Sequence, residues 1–264
     1  MPVPIYVVDA FTEVPFAGNP AGVCLLEKPA EASWMGNVAN EMGYAETAFL
    51  VPRQDGSYDL RWFTPTMEVD LCGHATLASA HVLWQIGCID QSEPAKFQTR
   101  SGELIARKDG DMIRMDFPAE PVHEIEAPPT LRLAVNKPPV WIGQNRMDML
   151  VQLEDAEAVR SLGPSINAIA MLGGRGVIVT AQSDTPQFDY ICRFFAPAAG
   201  VPEDNATGSA QCALGPFWQE RLGKTQMTSY QASPRGAVLG VEVKGERVDI
   251  LGKAFTMLEG KLQC

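Results

Sequence analysis

The sequence contains few of the features that define membrane, metal-binding, disulfide-linked or nucleotide-binding proteins. No apolar run approaches the roughly 20 residues that a membrane-spanning helix needs. The 6 cysteines form no C-x-x-C pair, and the 3 histidines lack metal-ligand spacing, so we expect reduced thiols and no metal. No G-x-G-x-x-G motif follows a predicted strand and no P-loop lysine motif occurs, so a nucleotide cofactor is not indicated.

Positive charge is also scarce. The chain has 21 Lys and Arg against 32 Asp and Glu, a net charge of −11. This balance argues against binding to nucleic acid or to an anionic membrane surface, because both depend on clustered basic residues. A small anionic substrate is still compatible with this net charge, since a local cluster of N–H donors can outweigh the diffuse negative field of the whole chain. The first residues have no basic or apolar signal-like segment, so a cytoplasmic location is expected.

An internal repeat is the most informative feature that is present. The segment Arg61–Pro65 (RWFTP) recurs as Arg193–Pro197 (RFFAP), at an offset of 132 residues. Gly73-His74-Ala75 recurs as Gly208-Ser209-Ala210, at an offset of 135. Each copy is an aromatic strand followed by a small-residue turn that opens an apolar helix. Two such halves can place two helix N-termini across one cleft, and unpaired N–H groups at helix N-termini suit an anionic ligand.

The helix after Gly73 has almost no polar face before Gly87, so it must be enclosed. Because short strands dominate the rest of the chain, the predicted container is a strongly curved sheet. A second apolar helix is predicted from Ser209 to about Leu222, with Ser209 as a candidate N-cap. Pro216 is expected to bend or break the last turns of this helix.

Further helices and strands follow from periodicity and turn residues. A helix capped by Ser33 is predicted from Trp34 to about Tyr44, and the Pro-rich stretch 118–139 is the candidate linker or crossover. The expected lobes are residues 1–118, with 254–264 as a candidate strand completing the first, and 119–253. Strands are predicted at 5–8, 21–26, 47–51, 58–63, 96–99, 104–108, 112–117, 149–153, 176–181, 189–195, 238–243 and 247–251.

Several short motifs together resemble the phenazine-biosynthesis PhzF-like family. They span most of the chain in the same order: Asp9–Thr12, Pro15–Ala21, Ala45–Phe49, Phe63–Pro65, Leu71–Thr76 and Glu203–Ala210. The resemblance implies the α+β fold of diaminopimelate epimerase, with two pseudo-symmetric lobes. Each lobe is a strongly curved, mostly antiparallel sheet around a central helix, and the site lies in the cleft between them. It also implies a cofactor- and metal-independent isomerase, commonly a homodimer.

The resemblance also implies roles for individual residues. By motif, Glu46 corresponds to the general acid/base, and His74, Asp204 and Ser209 to residues that assist it. The flanking motif residues are then expected to bind substrate: Asn19, Gly73, Ala75, Thr207, Gly208 and Ala210. One departure is that Asn205 stands where the family usually has proline, which is expected to loosen the turn that presents Asp204 and Thr207.

The residues themselves are compatible with this chemistry. Glu46 precedes an apolar strand, where desolvation raises the pKa of a carboxyl group toward neutrality and suits it to take and return a proton. His74 is predicted at a helix N-terminus, where the dipole lowers the pKa of an imidazole. Ser209 and the amides from Gly208 to Ala210 are candidates to bind a substrate carboxylate, and Asp204 to orient His74 or a substrate hydroxyl or amine.

Cys72 supports a competing interpretation. Thiol-dependent epimerases and racemases that share this fold use one cysteine from each half, and Cys72 stands at the first of these positions. The repeat puts Thr207 at the second, and a threonine hydroxyl is far too weak an acid to replace a thiol. Racemisation by two thiols is therefore disfavoured. A dehydratase that uses Cys72, and a non-catalytic binding or scaffold protein on the same fold, remain open.

Overall fold

The computed structural model describes residues 2–263, and the chain divides into two compact units. The first contains the residues up to Asp116 together with those from Leu251 onward, and the second is Phe117–Ile250. None of the five described cysteines forms a disulfide, and Cys264 lies outside the described residues. Among the described residues, no helix has both the length and the apolar character needed to cross a membrane.

Runs of short strands are interrupted by single helices. Up to residue 118 they are β1 (Val3–Ala10), β2 (Asn19–Leu25), α1 (Ala32–Met42), β3 (Glu46–Pro52), β4 (Tyr58–Phe63), β5 (Glu68–Val69), α2 (Gly73–Gln85), β6 (Ala95–Thr99), β7 (Gly102–Asp109) and β8 (Met112–Pro118). After it come β9 (His123–Glu124), α3 (Leu131–Val135), β10 (Trp141–Gln144), β11 (Asp148–Gln152), α4 (Ala156–Arg160), α5 (Ile166–Ala170), β12 (Gly176–Gln182), β13 (Tyr190–Ala196), β14 (Val201–Asp204), α6 (Gly208–Leu222), β15 (Gln226–Gln231), β16 (Ala237–Lys244), β17 (Arg247–Gly252) and β18 (Ala254–Leu262).

The two units have the same strand pairing, which confirms the fold expected from the repeat. In the first unit β2 is parallel to β3, β3 and β5 are antiparallel to β4, and β6 is parallel to β4 and antiparallel to β7. In the second unit β11, β12, β13, β14, β15 and β16 pair in the same way. In each unit the long helix, α2 or α6, leaves from the short strand and leads to the parallel one.

Both long helices are enclosed, as their apolar sequences predict. In α2 only His81 and Gln85 are not buried, and the helix packs against β1, β2, β3, β7 and β18. In α6 the buried residues extend from Gly208 to Trp218, interrupted only by Ser209 and Pro216. Burying apolar side chains on every face leaves no amphipathic pattern, which is why hydrophobicity identified these helices more clearly than periodicity did.

The repeated arginine and acidic residues form the same ion pair in each unit. Arg61 donates to both carboxylate oxygens of Glu68 at 2.6 and 2.7 Å, and Arg193 donates to Glu203 at 2.7 and 2.8 Å. Each guanidinium also lies over the aromatic ring two residues ahead in its strand, 5.2 Å and 5.0 Å from the ring centroid. Each ion pair connects β4 or β13 to the short strand that precedes the long helix. Both halves of the repeat therefore keep the contact that positions the N-terminus of that helix.

Two helix starts differ from the sequence prediction. Helix α1 begins at Ala32, with Glu31 as its N-cap and no capping bond from a side chain, so Ser33 does not cap it. Helix α6 begins at Gly208, with Thr207 as its N-cap. Ser209 therefore lies inside the first turn and its side chain is available for other contacts.

Pro216 does not break its helix, which continues to Leu222, so a predicted break there is wrong. A proline in a helix leaves the carbonyl four residues earlier without its usual N–H donor. Here that carbonyl belongs to Cys212, and it accepts a hydrogen bond from the backbone N–H of Glu120 at 2.9 Å. The replacement donor removes the cost of an unsatisfied buried carbonyl.

The Pro-rich stretch 118–139 is part of the second unit and is not an open linker. It contains β9 and α3, and Leu131, Ala134 and Val135 are buried in an apolar core with residues of β11, β12 and β13.

Candidate active site

In the first unit, the residues expected to carry chemistry come together as a group that we call the Glu46 cluster: Asn19, Glu46, Cys72 and His74. Asn19 and Glu46 are the first residues of β2 and β3. The two strands are parallel, with Ala21 opposite Glu46, so their first residues lie at the same edge of the sheet. His74 is in the first turn of α2, which packs against both strands.

The side chains of this cluster lie within hydrogen-bonding range of one another. His74 Nε2 is 3.3 Å from Glu46 Oε2, and these two side chains are 5% and 16% exposed. The other ring nitrogen, Nδ1, is 3.1 Å from Asn19 Nδ2 and 3.5 Å from Cys72 Sγ. An imidazole, a carboxylate and a thiol are the side chains that most often move protons in enzymes.

The surroundings of His74 keep it neutral. Burial lowers the pKa of this imidazole to about 3, since charging it would require desolvation of a cation. Burial is therefore the main cause of the shift that the sequence attributed to the helix dipole. With the amide of Asn19 donating to Nδ1, the ring proton is on Nε2. That Nε2 is buried and lies 3.3 Å from Glu46 Oε2, but no well-aligned hydrogen bond within the described chain satisfies it.

We expect this histidine to make folding stability depend on pH. The pKa of His74 is about 3 in the folded protein and near 6.5 when unfolded, so the unfolded state binds more protons between these values. Stability should be lost as pH falls from 6.5 toward 3, by at most about 1.4 kcal/mol per pH unit from this residue. The free energy of unfolding, measured with urea at several pH values, should depend less steeply on pH in His74→Asn than in the wild type. Equal slopes would show that His74 does not titrate on unfolding.

The same cluster has donor types that a divalent metal accepts. One ligand atom each from Glu46, Cys72 and His74 lie within 4.8 Å of one another. Carboxylate, thiolate and imidazole are all ligands of zinc. The sequence expected no metal site, and the spacing of these residues along the chain gives no sign of one. Proton transfer and metal binding by this cluster are distinguished by the effect of a chelator on activity.

In the second unit the corresponding helix start is held by side chains from β14, from β15 and from the turn after β15. The N-cap Thr207 donates from Oγ1 to Asp204 Oδ2 at 2.6 Å, and its N–H donates to Gln231 Oε1 at 2.8 Å. The Gln231 amide also donates to the backbone oxygen of Asp204, and Ser233 Oγ donates to that of Asn205, both at 2.8 Å. These bonds hold the turn in which Asn205 replaces the usual proline.

Ser209 is bonded to an arginine that the sequence did not single out. Ser209 Oγ accepts a hydrogen bond from Arg175 Nη1 at 2.7 Å. Arg175 follows two glycines and stands directly before β12, and a lone arginine in a turn has no pattern that indicates chemistry. Its partner Asp148, the first residue of β11, was missed for the same reason.

The remaining predicted binding residues lie in the first turns of the two long helices. Gly73 and Ala75 are buried at the start of α2, and Gly208 and Ala210 at the start of α6. Amides in a first turn have no acceptor within the helix and carry the positive end of its dipole. The structure thus groups Asn19, Glu46, Cys72, Gly73, His74 and Ala75 in the first unit, and Asp204, Thr207, Gly208, Ser209 and Ala210 in the second.

Comparisons with known proteins agree with the motifs. Residues 8–260 match the model of a family described as phenazine biosynthesis-like protein. A protein named as an uncharacterised isomerase of Halalkalibacterium halodurans is 48% identical over 99% of both chains. A phenazine biosynthesis protein of the PhzF family from Enterococcus faecalis has a solved structure that matches with a TM-score of 0.95 at 40% identity, covering 100% of both chains.

A more distant structure shows how far the fold extends. A probable proline racemase from Agrobacterium radiobacter superposes with a TM-score of 0.65 at 12% identity, covering 98% of this chain and 92% of its own. At that identity the match shows a shared fold alone. The diaminopimelate-epimerase-like fold expected from the sequence is thereby confirmed.

Proposed function

The chain belongs to the phenazine biosynthesis-like family, and from this membership and the Glu46 cluster we propose that it is an isomerase that moves a proton on a small carboxylate-bearing substrate. The name of the relative that is 48% identical supports the reaction class. The observation that carries the proposal is the position of the Glu46 carboxylate, 3.3 Å from the ring nitrogen of a buried histidine whose pKa is low.

In the proposed reaction Glu46 removes a proton from a carbon of the substrate. The electron pair of that C–H bond moves into a new double bond, and negative charge develops on the substrate. The Nε2–H of His74 and the N–H groups of Gly73 and Ala75 stabilise this charge, an effect worth a few kcal/mol per donor in other enzymes. The protonated Glu46, whose acidic proton exchanges with solvent, then delivers a proton to another carbon, so that an unsaturated or cyclic substrate leaves with its double bond shifted.

We propose a binding role for the second unit. The hydroxyl of Ser209 and the amides of Gly208, Ser209 and Ala210 hold the carboxylate of the substrate, and Asp204 orients a hydroxyl or amine on it. This arrangement is supported by the donors at the start of α6.

Homodimeric assembly is proposed from the family resemblance, and light scattering of the purified protein would measure it.

The proposed reaction predicts incorporation of solvent deuterium. A library of small unsaturated and cyclic carboxylates incubated with the protein in D₂O should include compounds that gain deuterium or shift a double bond, as detected by NMR. No nicotinamide should be needed, and dialysis against a chelator should leave turnover unchanged, because Glu46 moves the proton without a metal. Activity that is lost on chelation and restored by zinc would instead assign Glu46, Cys72 and His74 to a metal site.

A second candidate function rests on Cys72. Its Sγ is 3.5 Å from His74 Nδ1, which places the thiol beside the Glu46 carboxylate and the imidazole in one cluster. A thiol-dependent epimerase or dehydratase would use that pair in place of Glu46. This candidate lacks a second thiol at the equivalent position in the repeat, where Thr207 stands.

A further inference from the structure

Arg175 is held in one orientation by three contacts in the second unit. Its Nε donates to Asp148 Oδ1 at 2.9 Å, and its Nη2 donates to the other oxygen of the same carboxylate. Asp148 is 1% exposed, so this bidentate pair is anchored in the interior. The guanidinium carbon lies 5.1 Å from the centroid of the Phe194 ring. The third contact is the hydrogen bond from Nη1 to Ser209 Oγ at 2.7 Å.

The contact with Arg175 determines what the hydroxyl of Ser209 can do. A serine hydroxyl has one proton to donate and two lone pairs, whereas a guanidinium only donates. Ser209 Oγ therefore accepts from Arg175, and its own proton points away from the guanidinium. Ser209 lies in the first turn of α6, where the amides are also donors and the dipole is positive. A ligand group that contacts the Ser209 hydroxyl and these amides together binds best if it accepts hydrogen bonds and carries negative charge.

We propose that Arg175 is a positioning residue: it fixes the Ser209 hydroxyl as a hydrogen-bond donor and so sets a preference for a carboxylate over a neutral group of the same shape. The inference rests on the proposed binding of a substrate carboxylate by Ser209. It adds a residue outside the family motifs and assigns it an effect on selectivity that can be measured separately from turnover.

The test measures binding of benzoate and of benzamide, which has the same ring but no charge, by isothermal titration calorimetry. The wild type should prefer benzoate. Ser209→Ala should weaken benzoate binding about tenfold, the effect of losing one hydrogen bond to a charged group. Arg175→Lys should weaken it similarly, because lysine lacks the planar fork that contacts Asp148 and Ser209 together. Benzamide binding should change little in either variant.

A double-mutant cycle separates positioning from a general structural effect. If Arg175 acts through Ser209, Arg175→Lys should have no further effect on benzoate binding in the Ser209→Ala background. The matched control is Arg146→Lys, since Arg146 is an exposed arginine of the same unit that makes a bidentate pair with Glu120. It should leave the preference for benzoate unchanged.

Each other outcome overturns the inference in an identifiable way. If Ser209→Ala weakens benzoate binding but Arg175→Lys does not, or if Arg175→Lys acts equally in both backgrounds, the positioning role is wrong and the proposed function stands. If the wild type shows no preference, or Ser209→Ala has no effect, carboxylate binding by Ser209 fails as well.

Should Arg175→Lys not fold, the double variant Arg175→Gln with Asp148→Asn removes both charges and leaves no buried ion without a partner. It should lose the preference for benzoate in the same way.

Discussion

Glu46→Gln should lower turnover by roughly 10²–10⁴-fold, the usual effect of losing a general acid/base. Glutamine keeps the size of the side chain and its hydrogen bonding but has no proton to exchange. Although the Glu46 side chain is only 16% exposed, glutamine has the same shape and carries no charge, so the substitution should leave the fold intact. The measurement is the rate of deuterium incorporation in D₂O, alongside the affinity for the same substrate.

The control for this variant is Glu41→Gln. Glu41 is exposed at the end of α1, in the same unit, so its loss should change neither rate nor affinity. The proposal also requires that Glu46→Gln still binds substrate, since the acid/base acts on the reacting carbon. A Glu46→Gln protein that retains most of its turnover would exclude Glu46 as the proton carrier.

Gly18→Ala should destabilise the protein by about 3 kcal/mol or more. Gly18 has a φ of +65°, and a Cβ built on it would lie 2.1 Å from the backbone oxygen of Ala10. A backbone atom cannot move aside as a flexible side chain can, so the turn between β1 and β2 would have to shift. Asn19 follows directly and contacts His74 at 3.1 Å, so the shift should also disturb the Glu46 cluster.

Gly43→Ala separates the strain of a left-handed backbone conformation from the steric clash with Ala10. Gly43 has a similar φ of +68°, but a Cβ there would meet nothing within 4 Å. Its replacement should therefore cost only the strain of a left-handed conformation, about 1 kcal/mol. Free energies of unfolding from urea titration give both values. Equal losses in the two variants would show that the close approach to Ala10 has no energetic consequence.

The repeat predicted two similar halves and the apolar helices predicted their enclosure, because both features are visible in the order of residues, while the family resemblance supplied the diaminopimelate-epimerase-like fold. Strand β15, Gln226–Gln231, was not predicted. Its buried positions are Met227, Ser229 and Gln231, so two of the three inward-facing residues are polar and the alternation of a half-buried strand is hidden. The buried amide of Gln231 is satisfied by the turn before α6, a contact that only the folded chain creates.

The candidate site was also only partly predictable from the sequence. The motifs named Glu46, His74 and Asn19 as candidate site residues, and the structure brings their side chains together because the first residues of the parallel strands β2 and β3 lie at one edge. Arg175 and Asp148 could not be found, because each is a single charged residue beside a strand with nothing periodic around it. The low pKa of His74 was anticipated in direction but assigned to the dipole, while the burial that causes it follows from packing against β2 and β3.

The most direct test of the central claim, that Glu46 carries the proton, is the turnover of Cys72→Ala. Cys72 Sγ is 3.5 Å from His74 Nδ1 and is the competing acid/base within the Glu46 cluster. If Glu46 carries the proton, Cys72→Ala should keep most of the wild-type rate of deuterium incorporation in D₂O, while Glu46→Gln loses roughly 10²-fold or more. A Cys72→Ala protein that binds substrate but has lost turnover to that extent, beside an active Glu46→Gln, would contradict the account.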